Sequence, residues 1–310
     1  MNNIICIVGP TASGKTALAV ELAKEFNGEV VSCESMQVYK RMDIGTAKPT
    51  AEEMQGIPHH MLDVCEPDED FSVSKYCEMA APIVDDILSR GKTAIIAGGT
   101  GLYMDSLIRG NDFAPFPATG HRQRLEEKLS EAGLEAMIAE LSAIDPESVD
   151  RAQKNPRRII RALEVYYETG ETITSHNLRT QAIPPRYRPL WLGLDFDPRK
   201  LLYDRIDLRV GMMLELGLEQ EIRDLLASGI PATCTAMQAI GYKEFLDAME
   251  GGCTMAEAAD QVRQSSRRYA KRQLTWFKRN KEMNWLTRRE GGGSDEILEK
   301  ARQLIRESDK

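Results

Sequence analysis

No apolar run in this sequence approaches the roughly 20 residues that a membrane-spanning helix needs. The chain leads straight into the apolar segment Ile4-Ile5-Cys6-Ile7-Val8, without a basic region or a cleavage site before it. A cytosolic protein without membrane contact is expected. The cysteines, Cys6, Cys33, Cys65, Cys77, Cys234 and Cys253, form no C-x-x-C pair, and several lie in apolar surroundings. Reduced, structural thiols are expected, not disulfides or zinc ligands. His59 and His60 are adjacent and His121 and His176 are isolated, so neither a metal-ligand spacing nor a Ser-His-Asp or Cys-His arrangement can be argued. Internal repeats and low-complexity segments are also missing.

Acid is scarce in two places, although the formal net charge is −8. Between Gln261 and Lys281 the sequence carries Arg263, Arg267, Arg268, Lys271, Arg272, Lys278, Arg279 and Lys281 and no acid. Arg151, Lys154, Arg157, Arg158 and Arg161 form a second basic cluster of the same kind. The overall charge argues against nonspecific binding of nucleic acid by the whole surface, whereas two basic patches permit local binding of a polyanion. Positions 263, 267 and 271, and 268 and 272, follow i, i+4 helical spacing, which makes two adjoining basic stripes with no acid inside the run.

What is present begins with length. A chain of 310 residues, 42% hydrophobic and 28% charged, can bury a sizeable core and is long enough for about two domains. Directly after the first apolar run stands GPTASGKT, Gly9-Pro10-Thr11-Ala12-Ser13-Gly14-Lys15-Thr16. In G-x-x-x-x-G-K-[ST] the glycines let backbone N–H groups close round an anion, the lysine adds a point charge and the hydroxyl of Thr16 can hold a magnesium ion. Residues Ala17 to Lys24 read as a helix whose N-terminus adds its positive dipole end. The loop announces a phosphate and does not say whose.

Further apolar runs at Glu29–Cys33, Thr93–Ala97 and Leu190–Leu194 alternate with helical patterns, which predicts βα units, a parallel sheet and ligands at the carboxyl ends of its strands. The fold class expected is a P-loop NTPase-like α/β sheet flanked by helices. From Phe116 to Arg188 only helices are read, at His121–Ala132, Leu134–Ile144 and Pro156–Glu168, between prolines at 115, 117, 184, 185 and 189. This predicts a core of residues 1–115 and 189–310 carrying an all-helical insertion at 116–188. The remainder from Arg199 reads as mostly helical, broken at Gly229-Ile230-Pro231 and at Gly291-Gly292-Gly293 before a last amphipathic helix.

An ordinary ATPase or GTPase needs a strand ending in an Asp that orients magnesium. Here the run at Thr93–Ala97 ends in Gly98-Gly99-Thr100-Gly101, where glycines permit close approach and Thr100 can hydrogen-bond a phosphate or substrate. Asp195, followed by Phe196-Asp197-Pro198, reads as a helix-start turn rather than a metal ligand. The run at Glu29–Cys33 delivers Glu34 to the mouth of the phosphate site, where a carboxylate can act as a general base. A small-molecule or nucleotide kinase and an NTP-gated RNA-binding protein remain alternatives at this point.

GPTASGKT, SCESMQVYKRMDIGTAKP (Ser32–Pro49), IPHHMLD (Ile57–Asp63), AGGTGLYMDSLIRG (Ala97–Gly110), NPRRIIRALEVY (Asn155–Tyr166), AIGYKEF (Ala239–Phe245) and YAKRQLTWFKR (Tyr269–Arg279), in this order, together resemble the tRNA dimethylallyltransferase (tRNA isopentenyltransferase) family. The resemblance runs over nearly the whole chain. It implies transfer of a dimethylallyl group from its diphosphate to the exocyclic amine of the adenosine beside the 3′ end of the anticodon. By that resemblance the P-loop, Gly9 to Thr16, holds the donor's diphosphate with Mg²⁺. Glu34 stands where the family usually carries an aspartate as base, and Lys15, Thr16 and Thr100 join it in the catalytic set. Glu34, Ser35, Met36, Gln37 and Thr100 are expected to line the channel for the target base. Arg122 and the run Arg157, Arg158, Ile159, Ile160 and Arg161 are expected to meet the anticodon stem-loop, with the helical insertion as its clamp. A cytosolic monomer suffices for this chemistry.

Overall fold

The computed structural model describes residues 4–111 and 119–308. Pro115 and Pro117 of the sequence reading, and the expected boundary at 116, lie outside the described residues. In chain order the first part comprises β1 (Ile4–Val8), α1 (Lys15–Glu25), β2 (Gly28–Ser32), α2 (Ala51–Met54), β3 (His59–His60), α3 (Val73–Ser89), β4 (Thr93–Gly98) and α4 (Gly101–Arg109). Four helices follow, α5 (His121–Ile144), α6 (Pro146–Ala152), α7 (Pro156–Thr169) and α8 (Ile173–Gln181). The chain ends with β5 (Leu190–Asp197), α9 (Lys200–Glu215), α10 (Leu218–Ala227), α11 (Tyr242–Met249), α12 (Met255–Phe277), β6 (Asn284–Arg289) and α13 (Ser294–Ser308).

The strands form one six-stranded parallel sheet in the order β3-β2-β4-β1-β5-β6. β1 and β2 are buried along their whole length, which is why they read as continuous apolar runs and not as alternating ones. Ile4, Cys6 and Val8 face one core, shared with Tyr76 and Val84 of α3 and Met104 and Leu107 of α4. Ile5 and Ile7 face the other, with Leu18 and Leu22 of α1 and Ile297 and Ile305 of α13. Each such aliphatic side chain contributes roughly 1.5–3 kcal/mol by leaving water, so the two cores clamp β1 between them and fix where the loop after it begins.

Two strands were not visible in the sequence. β3 is only two residues long, and β6, Asn284-Trp285-Leu286-Thr287-Arg288-Arg289, is a polar edge strand without an apolar run. β6 also explains a correction at Asp195. Pairing of Leu192 to Asp197 with Asn284 to Arg289 prolongs β5 through Asp197, so Asp195 lies within a strand and does not begin a helix.

Residues Arg109–Pro185 form one compact unit and residues 1–108 with 186–310 the other. The helical unit thus ends before residue 188, because Arg186 and Tyr187 are fastened to the sheet-bearing unit. Arg186 pairs with Asp85, and the Tyr187 hydroxyl donates to Asp85 Oδ1 at 2.7 Å. Within the helical unit, Gly133 has φ 78° and ψ 172°, which breaks α5 between Ala132 and Leu134 where two helices were expected. Asn155 caps α7, its side chain accepting from the N–H groups of Arg157 and Arg158, Pro156 fills the first turn, and Gly170 ends the helix at φ 71°. Leu125, Met137, Leu141, Ile159, Ile160 and Leu163 are among the residues of its core.

Candidate active site

The loop after β1 turns into α1 at Gly14, whose φ of 92° is in the left-handed region that a side chain disfavours. This places the N-terminus of α1 at the carboxyl edge of the sheet. Lys15 is buried, and its ammonium donates to the carbonyls of Gly9 at 3.1 Å and Pro10 at 2.9 Å. Its third neighbour is Glu34 Oε1 at 3.3 Å. Burial lowers the pKa of Lys15, the Glu34 carboxylate opposes that, and Arg209 adds to it. The Ser13 hydroxyl is buried in the same loop and has no hydrogen-bond partner among the described residues. Such an orphan calls for an explanation, and an anion in the cradle would supply the missing acceptor.

Glu34 follows β2 after Cys33 and starts a turn in which Gln37 N donates to its carbonyl at 3.2 Å. The neighbouring Ser35 N–H donates to Thr100 Oγ1 at 2.9 Å, which ties the turn carrying Glu34 to the end of β4. Thr100 uses an acceptor lone pair there. Gln37 is buried, and its amide accepts from Ser32 Oγ at 3.0 Å and donates to the carbonyls of Thr46 and Ala47, so it holds the loop. Met36 is partly buried against the hydrophobic core. The loop is held from below as well, where Glu221 accepts from the N–H groups of Asp43, Ile44 and Gly45.

The other wall consists of residues that sequence reasoning missed. On α9, Arg209 reaches Thr11 Oγ1 at 3.3 Å and Arg205 Nε donates to Ala12 O at 2.8 Å. Burial works against the charge of Arg209, and the nearby Glu34 carboxylate supports it. On α12, Gln273 accepts from Thr11 N at 2.9 Å and donates to Gly99 O at 3.0 Å. Tyr269, one turn earlier, lies beside Thr100, and Trp276 donates to Asp105 Oδ2 at 2.9 Å. The glycines at the end of β4 exist for this contact: a Cβ on Gly99 would fall 2.0 Å from Gln273 Nε2, and one on Gly101 2.3 Å from the Trp276 ring. The i, i+4 arginines at 205 and 209 and the i, i+4, i+7 series at 269, 273 and 276 were the available signals, but neither says what the face meets.

The basic clusters are less free than their sequences imply. Arg267 pairs with Asp207 of α9, Arg263 with Asp260, and Lys278 with Asp195. In the helical unit Arg151 pairs with Glu147, Lys154 with Glu135, and Arg161 with Glu164. The acids lie outside the runs inspected and are brought in by helical spacing and by packing. Arg122 pairs with Glu126 and Glu164. Ile159 and Ile160 are buried in the core of that unit, whereas Arg157, Arg158 and Arg161 are exposed on the same helix.

Known proteins are similar to this chain over most of its length. The IPP transferase family model matches residues 37–280. A tRNA dimethylallyltransferase of a Thermoanaerobacter species is 47% identical over 285 residues, 91% of this chain and 90% of its own. The tRNA dimethylallyltransferase of Acetivibrio thermocellus is 43% identical over 307 residues, 98% of either chain. The chain belongs to the tRNA dimethylallyltransferase family. Among solved structures, the full-length tRNA isopentenylpyrophosphate transferase of Bacillus halodurans superposes with a TM-score of 0.74 at 41% identity, over 98% of this chain and 96% of that one. A eukaryotic dimethylallyltransferase acting on tRNA gives a TM-score of 0.82 at 28% identity, over 98% and 79%. The parallel sheet and its flanking helices are therefore those of the family, and the membership favours a prenyltransferase over the kinase alternative.

Proposed function

We propose that this enzyme transfers a dimethylallyl group from dimethylallyl diphosphate to the exocyclic amine of the adenosine adjacent to the 3′ end of the anticodon in tRNA. The observation that carries this reading is the pairing of Lys15 with Glu34 at 3.3 Å, which puts a phosphate-binding cation and a carboxylate base within one cleft. The amine attacks the allylic carbon, the bond from that carbon to the diphosphate oxygen breaks, and Glu34 accepts the proton that the amine loses. The diphosphate leaves with its charge held by loop N–H groups, Lys15 and Arg209, which are fixed before the reaction starts. The kinase alternative lacks its usual carboxylate, because β4 ends in glycines that pack against α12.

The donor set also fits Mg²⁺. That ion keeps several waters and takes few protein ligands when substrate phosphates are present. Thr16 at the start of α1 would hold it together with the diphosphate oxygens. When bound it would neutralise charge on the leaving diphosphate.

Thr100 and Ser35 fix the turn that carries Glu34. Arg157, Arg158 and Arg161 of the helical unit hold the anticodon stem-loop by its phosphates. The target base must leave the loop stack to meet an enclosed site. Such an enzyme works as a monomer in the cytosol. The test is turnover with radiolabelled dimethylallyl diphosphate and unmodified tRNA. Label in the tRNA supports the reading, and label that stays in the donor refutes it.

A further inference from the structure

The cradle and the base are joined by a chain of contacts that passes through one side chain. Thr11 N–H donates to Gln273, Gln273 donates to the Gly99 carbonyl, Thr100 follows Gly99, and the Thr100 hydroxyl accepts from Ser35, next to Glu34. Gln273 is 4% exposed, so its amide has no water to turn to. A primary amide meets both demands at once, one acceptor for Thr11 and one donor for Gly99. Because the Thr11 N–H is committed to Gln273, an anion in the loop is left to the N–H groups further along it.

We infer that Gln273 is a positioning residue of the donor site, fixing the first turn of the phosphate loop against the Gly99–Thr100 turn and thereby the separation between cradle and base. The inference rests on the reading of the loop as a diphosphate site. Its chemical signature is a requirement for both functions of the amide. A carboxylate at 273 keeps the acceptor for Thr11 but turns a second oxygen on the Gly99 carbonyl. A neutral carboxylic acid restores the donor, and burial raises the pH at which that proton is held.

The experiment is calorimetric titration of the full chain with inorganic diphosphate and Mg²⁺ at pH 8, 7 and 6, for wild type, Gln273→Glu and Gly99→Ala. Each variant is normalised to wild type at the same pH. Gln273→Glu should bind about tenfold more weakly at pH 8, the loss of one buried hydrogen bond, and recover toward wild type at pH 6. Gly99→Ala, whose new methyl displaces the Gln273 amide, should lose a similar factor at every pH. In turnover, Gln273→Glu at pH 8 should show a raised KM for dimethylallyl diphosphate and a lower kcat, with the KM for tRNA within about twofold of wild type, since misplacing a base by an ångström is costly. Wild-type affinity in both variants, or a Gln273→Glu deficit independent of pH, overturns the inference. If Gln273→Glu does not fold, Gly99→Ala decides alone. Wild-type protein that binds no diphosphate refutes the underlying reading and this inference with it.

Discussion

The two ends of the sheet each hold a carboxylate among cations, buried at the amino end and partly exposed at the carboxyl end, and the two are balanced differently. At the amino end, Glu29 of β2 is 4% exposed in its side chain and meets Arg90 at 2.5 Å, Lys92 at 2.7 Å and His60 Nε2 at 2.8 Å. Asp86 also pairs with Arg90, so the two full cations there face two carboxylates. At the carboxyl end, Lys15, Arg205 and Arg209 stand round the phosphate loop with Glu34 as the acid paired to Lys15. One cluster is complete as it stands. The other carries excess positive charge and an orphan hydroxyl, which is how a site prepared for an anion differs from a structural ion pair.

The contrast is broken most severely by Lys15→Ala. Steady-state assay should find transfer reduced by on the order of 10³, whereas Glu29→Gln should leave kcat and both KM values unchanged under conditions where it is folded. Glu34→Gln should lower kcat by roughly 10²-fold, with the affinity for tRNA, measured by filter binding, within about twofold. Undiminished turnover in that variant would remove Glu34 as base.

Glu29→Gln should act on stability, costing about 2–3 kcal/mol in denaturant unfolding, at the low end for a broken buried pair because its partners are about a third exposed. Hydrogen bonds from Arg90, Lys92 and His60 hold the Glu29 carboxyl well below the usual carboxylate range. A carboxylate depressed in this way contributes stability that is fully present above its unfolded pKa of about 4.5 and is lost as pH falls below that. Wild type should therefore lose stability more steeply than Glu29→Gln between about pH 4.5 and 2.

The smallest effect concerns the helical unit. Arg158→Glu with Arg161→Glu should weaken tRNA binding about tenfold at low salt and less at high salt, as loss of phosphate contacts requires. An unchanged salt slope would take the tRNA off this helix.

The same contrast explains how much was legible in the sequence. The phosphate loop is one contiguous motif after an apolar strand, and Glu34 sits at the end of the next, so both could be placed by local pattern. Gln273 and Arg209 could not, because they reach Thr11 across 262 and 198 residues of sequence, and only packing of α12 and α9 brings them there. The basic runs misled for the related reason that Asp207 and Asp195 are distant in sequence from the arginine and lysine they neutralise. The run at 157–161 was read as one surface, but helical geometry puts Ile159 and Ile160 inside and the three arginines outside. Most of the fold was readable because β1, β2, β4 and most of β5 are apolar runs. β6 was not, since an edge strand needs no such run.

The measurement that tests the account most directly is mass spectrometry of nucleosides from unmodified tRNA incubated with the protein, Mg²⁺ and either dimethylallyl diphosphate or ATP. The account predicts a prenyl increment on adenosine with dimethylallyl diphosphate alone and unchanged tRNA with ATP. Unmodified adenosine in both, with ATP consumed, would contradict it and return the phosphate loop to a nucleotide.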